Sequence, residues 1–266
     1  MSQNNTMVFS DTDSISISKE NGSPWTKEER KAFCDYINSE MPDLIRWEDD
    51  GYYPKVLVVK SKNYVLFDGE EYTYRGGTFK DSKKEPIMKK LMEEMTLLLM
   101  TSFNTNDLVN TYEKYIEMCY NIQDIKSWCQ KKTVTKSILK CKGHEYLSKE
   151  EKKEQGIRKN ETDVWDAVKG VEGLQEGDKI YLYSAIIERR VETKTYKNGK
   201  TKEKVTEVGG LKSSSAWNRD HDVKKLIDRV YKTMLIFSKV IDTTIFTNYS
   251  LQKNLPLLKS KYEKYV

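Results

Sequence analysis

Apolar and polar residues alternate in short runs over the first third of the chain. Residues 7–18 alternate on both sides of an Asp-Thr-Asp sequence, which predicts a β-hairpin. Residues 55–74 predict two further strands joined by a turn at Asp68-Gly69, because Asp-Gly is strongly preferred in two-residue hairpin turns. We therefore expect two hairpins in this region.

Elsewhere, apolar residues recur every three or four positions, as on one face of an amphipathic helix. This spacing predicts helices over residues 87–99, 108–120 and 223–241. A further helix is expected to begin after Thr26, where Glu29 completes a capping-box pattern.

Strand patterns return in the later part of the chain. Residues 177–183 and 186–208 predict strands, the second run with a turn at Asn198-Gly199. The charged residues 148–161 predict a solvated surface helix or loop.

The order of these elements predicts an α+β fold in two parts. A small mixed segment with two hairpins and a helix comes first, and a mainly helical segment with a late hairpin follows. The change in pattern places the predicted domain boundary between residues 1–78 and 79–266.

Composition indicates a folded protein with a small net charge. Of 266 residues, 37% are hydrophobic and 33% charged, and 17 Tyr and 5 Trp distinguish the chain from a disordered one. The formal charge is only +5, so any affinity for a polyanion must come from local clusters of basic residues.

Cysteine and histidine usage does not favour a zinc site. The four cysteines are scattered with no Cys-x-x-Cys pair and there are two histidines, so free thiols are expected. No apolar run approaches the roughly 20 residues of a membrane helix, and the N-terminus lacks signal-peptide character. These features predict a soluble cytoplasmic protein without membrane contact.

Asp11 and Asp13 are the first candidate functional residues. Strand periodicity predicts that both carboxylates lie on one side of the hairpin, with Thr12 on the other. Such a pair suits a cation, and two-metal phosphoryl transfer needs several oxygen ligands of this kind. Asp and Ser are equally favoured in turns, so these residues alone leave a metal site and a simple turn both open.

Two basic segments suggest a polyanion partner. Residues 55–90 hold nine basic and five acidic residues, and include Lys60, Lys62 and Tyr64 on a predicted strand. Residues 126–142 hold six lysines and no acidic residue. A solvated strand face or a disordered charged run are the alternatives, but the interleaved apolar residues indicate that the second segment packs and displays its lysines.

Several motifs together resemble family B DNA polymerases of the phage type. VFSDTDSISIS resembles the YGDTDS element of the polymerase palm, and VVKSKNYVLFDGE resembles the KKxY element that follows it. YRGGTFKDSKKEP, IKSWCQKKTVTKSIL and GLQEGDKIYLY are similar to segments leading into and forming the thumb. The resemblance covers nearly the whole chain in the family's order, as the C-terminal part of the palm followed by the thumb.

The resemblance implies specific roles. Asp13 would be the principal metal-bridging carboxylate and Asp11 its assistant, holding two Mg²⁺ ions, while Thr12 and Ser14 would lie at the bound nucleotide. The expected DNA-binding residues are Lys60, Lys62, Tyr64, Arg75, Lys80, Lys83, Lys84, Lys132, Thr135 and Lys136. Ser61 stands where the family has the first lysine of KKxY, and Lys60 is the expected substitute.

The resemblance also implies partners. Only ten residues precede Asp11, so we expect a separate N-terminal polymerase fragment to carry the exonuclease, the fingers and the remaining palm with its carboxylate. Primer-template DNA and a deoxynucleoside triphosphate would complete the site, and a sliding clamp is a further candidate partner. If the source is a virus, the expected location is the host cytoplasm.

A different class of function stays open. The chain could be a non-catalytic DNA-binding accessory protein that keeps the basic surfaces and uses Asp-Thr-Asp only as a turn. A truncated, unassembled remnant is the third alternative.

Overall fold

The computed structural model describes residues 5–195 and 201–251. Within them the chain divides into two compact units, which we call the first and second units. The first unit comprises residues 5–80, 96–103 and 236–242. The second comprises residues 81–95, 104–235 and 243–251.

The strands of the first unit form two antiparallel sheets. These strands are β1 (Asn5–Asp11), β2 (Ser14–Lys19), β3 (Lys55–Lys60), β4 (Asn63–Phe67) and β5 (Tyr72–Arg75). Strands β1 and β2 form the predicted first hairpin, and β3, β4 and β5 form a three-stranded meander.

The prediction of only two strands over residues 55–74 was wrong. The expected turn at Asp68-Gly69 is present, with the Asp68 carboxylate accepting hydrogen bonds from the backbone of Glu70 and Glu71. A second turn at Ser61-Lys62 divides the first expected strand, and Lys62 adopts a left-handed φ of 57° there. A lysine occupies the left-handed position in place of Gly, Asn or Asp, which is why the sequence pattern did not reveal this turn.

Two helices complete the first unit's early part. Helix α1 (Lys27–Glu40) begins with the predicted capping box, in which Thr26 and Glu29 each accept a backbone hydrogen bond from the other. Helix α2 (Gly77–Lys80) is a single turn that directly follows Gly76.

Helices and one sheet form the second unit. The remaining helices are α3 (Pro86–Thr101, of which residues 86–95 belong here), α4 (Thr105–Met118), α5 (Lys136–Leu139), α6 (Lys149–Glu154), α7 (Lys159–Val168) and α8 (Val223–Met234). Helix α4 packs against α8, and each buries one apolar face as its periodicity predicts. The α+β class is therefore confirmed.

The sheet of the second unit has strand order β6 (Gln130–Thr133), β7 (Lys179–Thr195) and β8 (Thr201–Ser213). Helices α5 and α7 cover its inner part through a buried apolar cluster. The cluster consists of Val134, Ile138, Val164, Val168, Ile180 and Leu182. The prediction that the lysine-rich segment packs is confirmed by the buried Val134 and Ile138 within it.

Other expectations for this unit need correction. The predicted break between a strand over residues 177–183 and a strand from residue 186 is absent. Strand β7 runs through this position, because Ser184 and Ala185 pair with Leu211 and Gly210 of β8. The predicted turn at Asn198-Gly199 lies outside the described residues.

The last predicted helix is shorter than its apolar spacing suggests. Helix α8 ends at Met234, and a 3₁₀ turn follows in which Phe237 is fully buried. A buried residue in a turn extends the apolar pattern past the helix end. Of the predicted surface segment at residues 148–161, α6 is largely exposed, whereas α7 begins within it and buries Thr162 and Val164.

The cysteines are free thiols, as predicted. Burial raises the pKa of Cys129 to about 12 and raises that of Cys119 strongly. These buried thiols therefore stay protonated and pack as small apolar groups. Among the described residues, no helix combines the length and hydrophobicity needed to span a bilayer.

A buried ion pair joins α8 to the start of α3 in the second unit. The Arg229 guanidinium contacts the carboxylate of Glu85, whose side chain is only 6% exposed. Burial lowers the pKa of Arg229. The negative charge of the Glu85 carboxylate opposes this effect, because a nearby opposite charge favours the charged form of the guanidinium group. Removing one partner would leave the other charge buried without compensation.

We expect Arg229→Met to lower the free energy of unfolding by about 3 kcal/mol, because Glu85 would stay buried and unpaired. Lys232→Met is the matched control on the same helix, since Lys232 is 67% exposed and pairs with Asp228 at the surface. Its expected cost is about 0.5 kcal/mol or less. Urea unfolding of both variants makes the comparison, and equal costs would contradict a structural role for the buried pair.

A buried histidine gives the second unit a pH-dependent stability. Nε2 of His221 lies 3.1 Å from the Cys119 carbonyl oxygen, which can only accept, so this nitrogen carries the proton. Burial lowers the pKa of His221 below its usual 6.5, and the Cys119 carbonyl, Asp220 and Asp222 oppose that shift only in part. The folded chain therefore binds this proton at a lower pH than the unfolded chain.

The contribution of His221 to stability is expected to be complete above about pH 6.5 and to fall as pH drops below that value. Chemical unfolding at pH 7.5 and 5.5 measures the loss for wild type and for His221→Gln. The variant should lose less stability over this interval, by at most roughly 1.4 kcal/mol per pH unit. An equal loss in both proteins would show that another group is responsible.

Candidate functional site

Two hairpin turns of the first unit meet at their tips. The turn between β1 and β2 contains Thr12 and Asp13, and the turn between β3 and β4 contains Ser61 and Lys62. Nζ of Lys62 lies 3.3 Å from Oδ1 of Asp11 and donates a hydrogen bond of 3.3 Å to Oγ1 of Thr12. The structure thus brings together two sequence motifs separated by about fifty residues.

The aspartates occupy different backbone positions, which corrects the strand-periodicity argument. Asp11 is the last residue of β1 and pairs with Ser14, whereas Thr12 and Asp13 form the turn itself. Thr12 has a left-handed φ of 52°, so the alternation of a strand does not continue to Asp13. The turn hypothesis is therefore correct for the backbone, and it does not exclude a metal-binding role.

Local hydrogen bonds hold the Asp11 carboxylate and its turn. Oγ1 of Thr12 donates to Oδ1 of Asp11 at 3.3 Å, and Oγ of Ser14 donates to the Asp11 carbonyl oxygen at 3.0 Å. The Asp11 side chain is 28% exposed, while Asp13 is exposed. Thr12 and Ser14, predicted as nucleotide-binding residues, thus act here as supports of the turn.

An aromatic contact fixes the two hairpins to each other. The rings of Phe9 on β1 and Tyr64 on β4 have centroids 4.3 Å apart. Such a pair contributes about 1 kcal/mol beyond its buried area. Together with the Lys62–Asp11 contact it fixes the relative position of the two turns.

Asn63 and Gly76 support the Lys62 turn, and the sequence did not identify them as site residues. The buried Asn63 side chain donates to the Ser61 carbonyl oxygen at 2.8 Å and accepts from the Thr78 backbone N–H at 2.8 Å. Gly76 has a φ of 91°, and a Cβ there would lie 2.1 Å from the carbonyl oxygen of Lys62. The residues that directly follow β5 therefore pack against the Lys62 turn and hold it in place.

The other predicted residues of the first unit are exposed at element ends. Lys60 ends β3, Arg75 ends β5 at the position paired with Tyr64, and Lys80 ends α2. The predicted strand position of Lys60 is confirmed, whereas Lys62 lies in a turn.

A basic groove of about 280 Å³ lies in the second unit. Three predicted DNA-binding residues, Lys83, Lys84 and Lys132, line it. The remaining lining residues are Asp81, Glu85, Gln130 and Lys131. Because Arg229 neutralises Glu85, the four lysines give the groove a positive potential.

Thr135 and Lys136 lie at the start of α5. Oγ1 of Thr135 accepts the backbone N–H of Ile138 at 3.4 Å and shares a 2.9 Å hydrogen bond with Ser137. Nζ of Lys136 lies 3.9 Å from Glu176 and is largely exposed. Thr135 therefore has a structural role as a helix cap.

The carboxylates of the Asp-Thr-Asp turn suit magnesium as part of a site. Mg²⁺ commonly binds one or two carboxylates and takes its remaining ligands from water and phosphate. Over residues 5–195 and 201–251, no group of three or more His, Cys, Asp or Glu residues is arranged to hold a metal ion. Asp11 and Asp13 would thus supply only part of a two-metal site.

We expect Gly76→Ala to destabilise the first unit by roughly 2–3 kcal/mol, through its left-handed backbone and its clash with the Lys62 turn. Gly77→Ala is the adjacent control, because a Cβ at Gly77 would meet no atom within 4 Å. Urea unfolding measures both variants, and equal stability of the two would contradict the proposed clamp.

Comparison with known proteins gives one partial similarity. No protein-family model matches the chain. A segment of 66 residues, 24% of the chain, is 33% identical to a protein named DNA polymerase from Pyrococcus horikoshii. The match covers 5% of that protein's length, so the chain corresponds to a small part of this relative. Part of the chain is thus similar to a DNA polymerase.

Proposed function

We propose that the chain is the C-terminal palm and thumb portion of a family B DNA-directed DNA polymerase, extending a primer 3′ end by two-metal phosphoryl transfer. The meeting of the Asp-Thr-Asp turn with the Lys62 turn is the observation that carries the proposal. Both motifs were identified separately in the sequence, and this fold places a lysine and a carboxylate of the two turns 3.3 Å apart. The partial similarity to a DNA polymerase supports the same class of activity.

In this proposal each turn has a distinct task. Asp11 and Asp13 would hold magnesium, which when bound favours ionisation of the primer hydroxyl and stabilises charge on the reacting phosphate. Lys62, fixed beside Asp11, would contact the phosphate backbone at the primer terminus. Tyr64, held by Phe9, would position the adjacent nucleotide.

The second unit would act as the thumb that holds the duplex product. The lysines of the basic groove and Lys136 would contact phosphates, which position the duplex without reading its sequence. Arg75 and Lys80 of the first unit would add to this sequence-independent affinity.

The proposed active site needs residues beyond those that the structure describes. The described residues supply two turn carboxylates and no group of three metal-binding residues, so a further carboxylate must come from outside them. We propose an N-terminal polymerase fragment that also supplies the fingers and the nucleotide-binding groups. Together the two chains would bind primer-template DNA, a deoxynucleoside triphosphate and two magnesium ions.

One observation favours a second candidate function. The Lys62 ammonium group already contacts Asp11, so this carboxylate is compensated without a metal ion. A non-catalytic DNA-binding accessory protein would use the same contact only to join its two hairpins.

Asp13→Asn distinguishes the two candidates. With the complementing N-terminal fragment present, primer extension should fall by roughly a hundredfold or more, because a metal-binding charge is lost next to the reacting phosphate. Duplex binding should stay unchanged, since Asp13 is not a phosphate-binding residue. Gel analysis of extended primers and fluorescence anisotropy provide the two measurements.

Asp35→Asn on α1 is the matched control, because Asp35 is 66% exposed and pairs only weakly with the exposed Lys31. It should leave extension unchanged. Wild-type extension rates in the Asp13→Asn complex would favour the accessory function, and extension by this chain alone would contradict the need for a partner.

A further inference from the structure

The Lys62 ammonium group already serves as a cation for the Asp-Thr-Asp turn. Its Nζ lies 3.3 Å from Oδ1 of Asp11 and 3.3 Å from Oγ1 of Thr12. Carboxylate oxygens are also the protein ligands that Mg²⁺ commonly takes. A lysine of this chain and a divalent cation would therefore compete for the same carboxylate.

The charges of the turn do not favour both cations at Asp11 together. Positive charges a few ångströms apart repel, and the repulsion doubles when one of them is divalent. The carboxylates of Asp11 and the exposed Asp13 offset two positive charges, whereas Lys62 and one divalent ion together carry three. Entry of a divalent ion therefore favours departure of the ammonium group from Asp11.

The contact between Lys62 and Asp11 is also loose. Charge-assisted contacts from N–H to a carboxylate are usually about 2.7–2.9 Å long, so 3.3 Å is long for such a pair. Lys62 is 64% and Asp11 28% exposed, and pairs this accessible add little to stability. In the same unit, Nζ of Lys19 lies 2.6 Å from the Glu29 carboxylate and Lys19 is only 18% exposed. The ammonium group at Asp11 is thus the more easily displaced of the two.

The backbone of Lys62 is held independently of its side chain. Gly76 packs against the Lys62 carbonyl oxygen, and the Asn63 amide bonds to the Ser61 carbonyl oxygen and to the Thr78 N–H. The lysine side chain itself is flexible and ends in a compact charge with rotatable donors. An ammonium group that leaves Asp11 therefore stays beside the turn, where the proposed primer terminus would bind.

We propose that Lys62 and a divalent cation exchange at Asp11, and that the displaced ammonium group binds a phosphate of the primer. Without the cation, Lys62 neutralises Asp11 and joins the two turns. Once displaced, its ammonium group takes a phosphate oxygen, which is a strong charged acceptor. Because coupling between two binding events is reciprocal, primer binding then strengthens binding of the cation by the same factor.

The exchange rests on the proposed function for its metal ion and its primer, but its tests involve no catalysis. Primer extension by the complemented chain, together with a Lys62 contact that metal leaves unchanged, would overturn the exchange alone. A metal-dependent Lys62 contact without primer extension in the complemented pair would overturn only the proposed function.

The first test measures the reactivity of the Lys62 amine in the full chain, by brief acetylation followed by mass spectrometry of peptides. An amine that neutralises a carboxylate is less available to the reagent than a free amine. MnCl₂ is the probe, since Mn²⁺ takes the same oxygen ligands as Mg²⁺. At millimolar concentration it should raise the reactivity of Lys62 by about two- to fivefold, as expected when a pair of this exposure is broken.

Lys31 is the matched internal control, because it lies 3.5 Å from Asp35 in another exposed pair of the first unit. Its reactivity should not change with MnCl₂. In Asp11→Asn, Lys62 should be equally reactive with and without the metal. The exchange would be overturned if MnCl₂ raised the reactivity of Lys62 no more than that of Lys31, or no more than NaCl of equal ionic strength. A full metal response in Asp11→Asn would overturn it as well.

The second test follows binding of a fluorescein-labelled primer-template by anisotropy, for wild type, Lys62→Met and Lys31→Met. Addition of MnCl₂ should lower the Kd of wild type relative to that of Lys62→Met by about the same two- to fivefold. The ratio to Lys31→Met should stay constant, which cancels the general effect of the metal on DNA. A constant ratio to Lys62→Met would overturn the transfer of the ammonium group to the primer.

Discussion

The candidate site depends on the close approach between Gly76 and the turn at Lys62. A glycine with left-handed φ at the end of β5 lets the backbone pass directly against the Lys62 carbonyl oxygen, and Asn63 closes the same turn from inside. With that turn fixed, the lysine reaches Asp11 and the Tyr64 ring reaches Phe9. One backbone constraint thereby positions a charge contact and a ring contact between two hairpins.

The elements that the sequence predicted well are those whose signals are local. The capping box at Thr26, the Asp68-Gly69 turn and the apolar faces of α3 and α4 each depend on residues a few positions apart. The turn at Lys62 was missed because its left-handed residue is a lysine, and turn patterns rely on Gly, Asn and Asp.

The parts of the site that escaped prediction depend on contacts between distant segments. Asn63 stood inside a quoted motif, but its role follows from Thr78 and Ser61, which only the folded meander brings to it. The basic groove likewise unites Lys83 and Lys132 across almost fifty residues of sequence. The sequence shows how many lysines each segment contains, whereas only the folded structure shows that lysines of two segments line one groove.

The register shift between Ile186 and Glu188 divides the hairpin of β7 and β8 into parts with different local stability. Inside it, ladder hydrogen bonds are covered by the apolar cluster beneath α5 and α7, and outside it they face water on both sides. Exposed ladders open with little free energy and exchange their amide hydrogens quickly. The hairpin thus combines a slowly exchanging base with a more rapidly exchanging arm. At the junction the Ile187 side chain packs against Gly210, where a Cβ would lie only 2.8 Å from it.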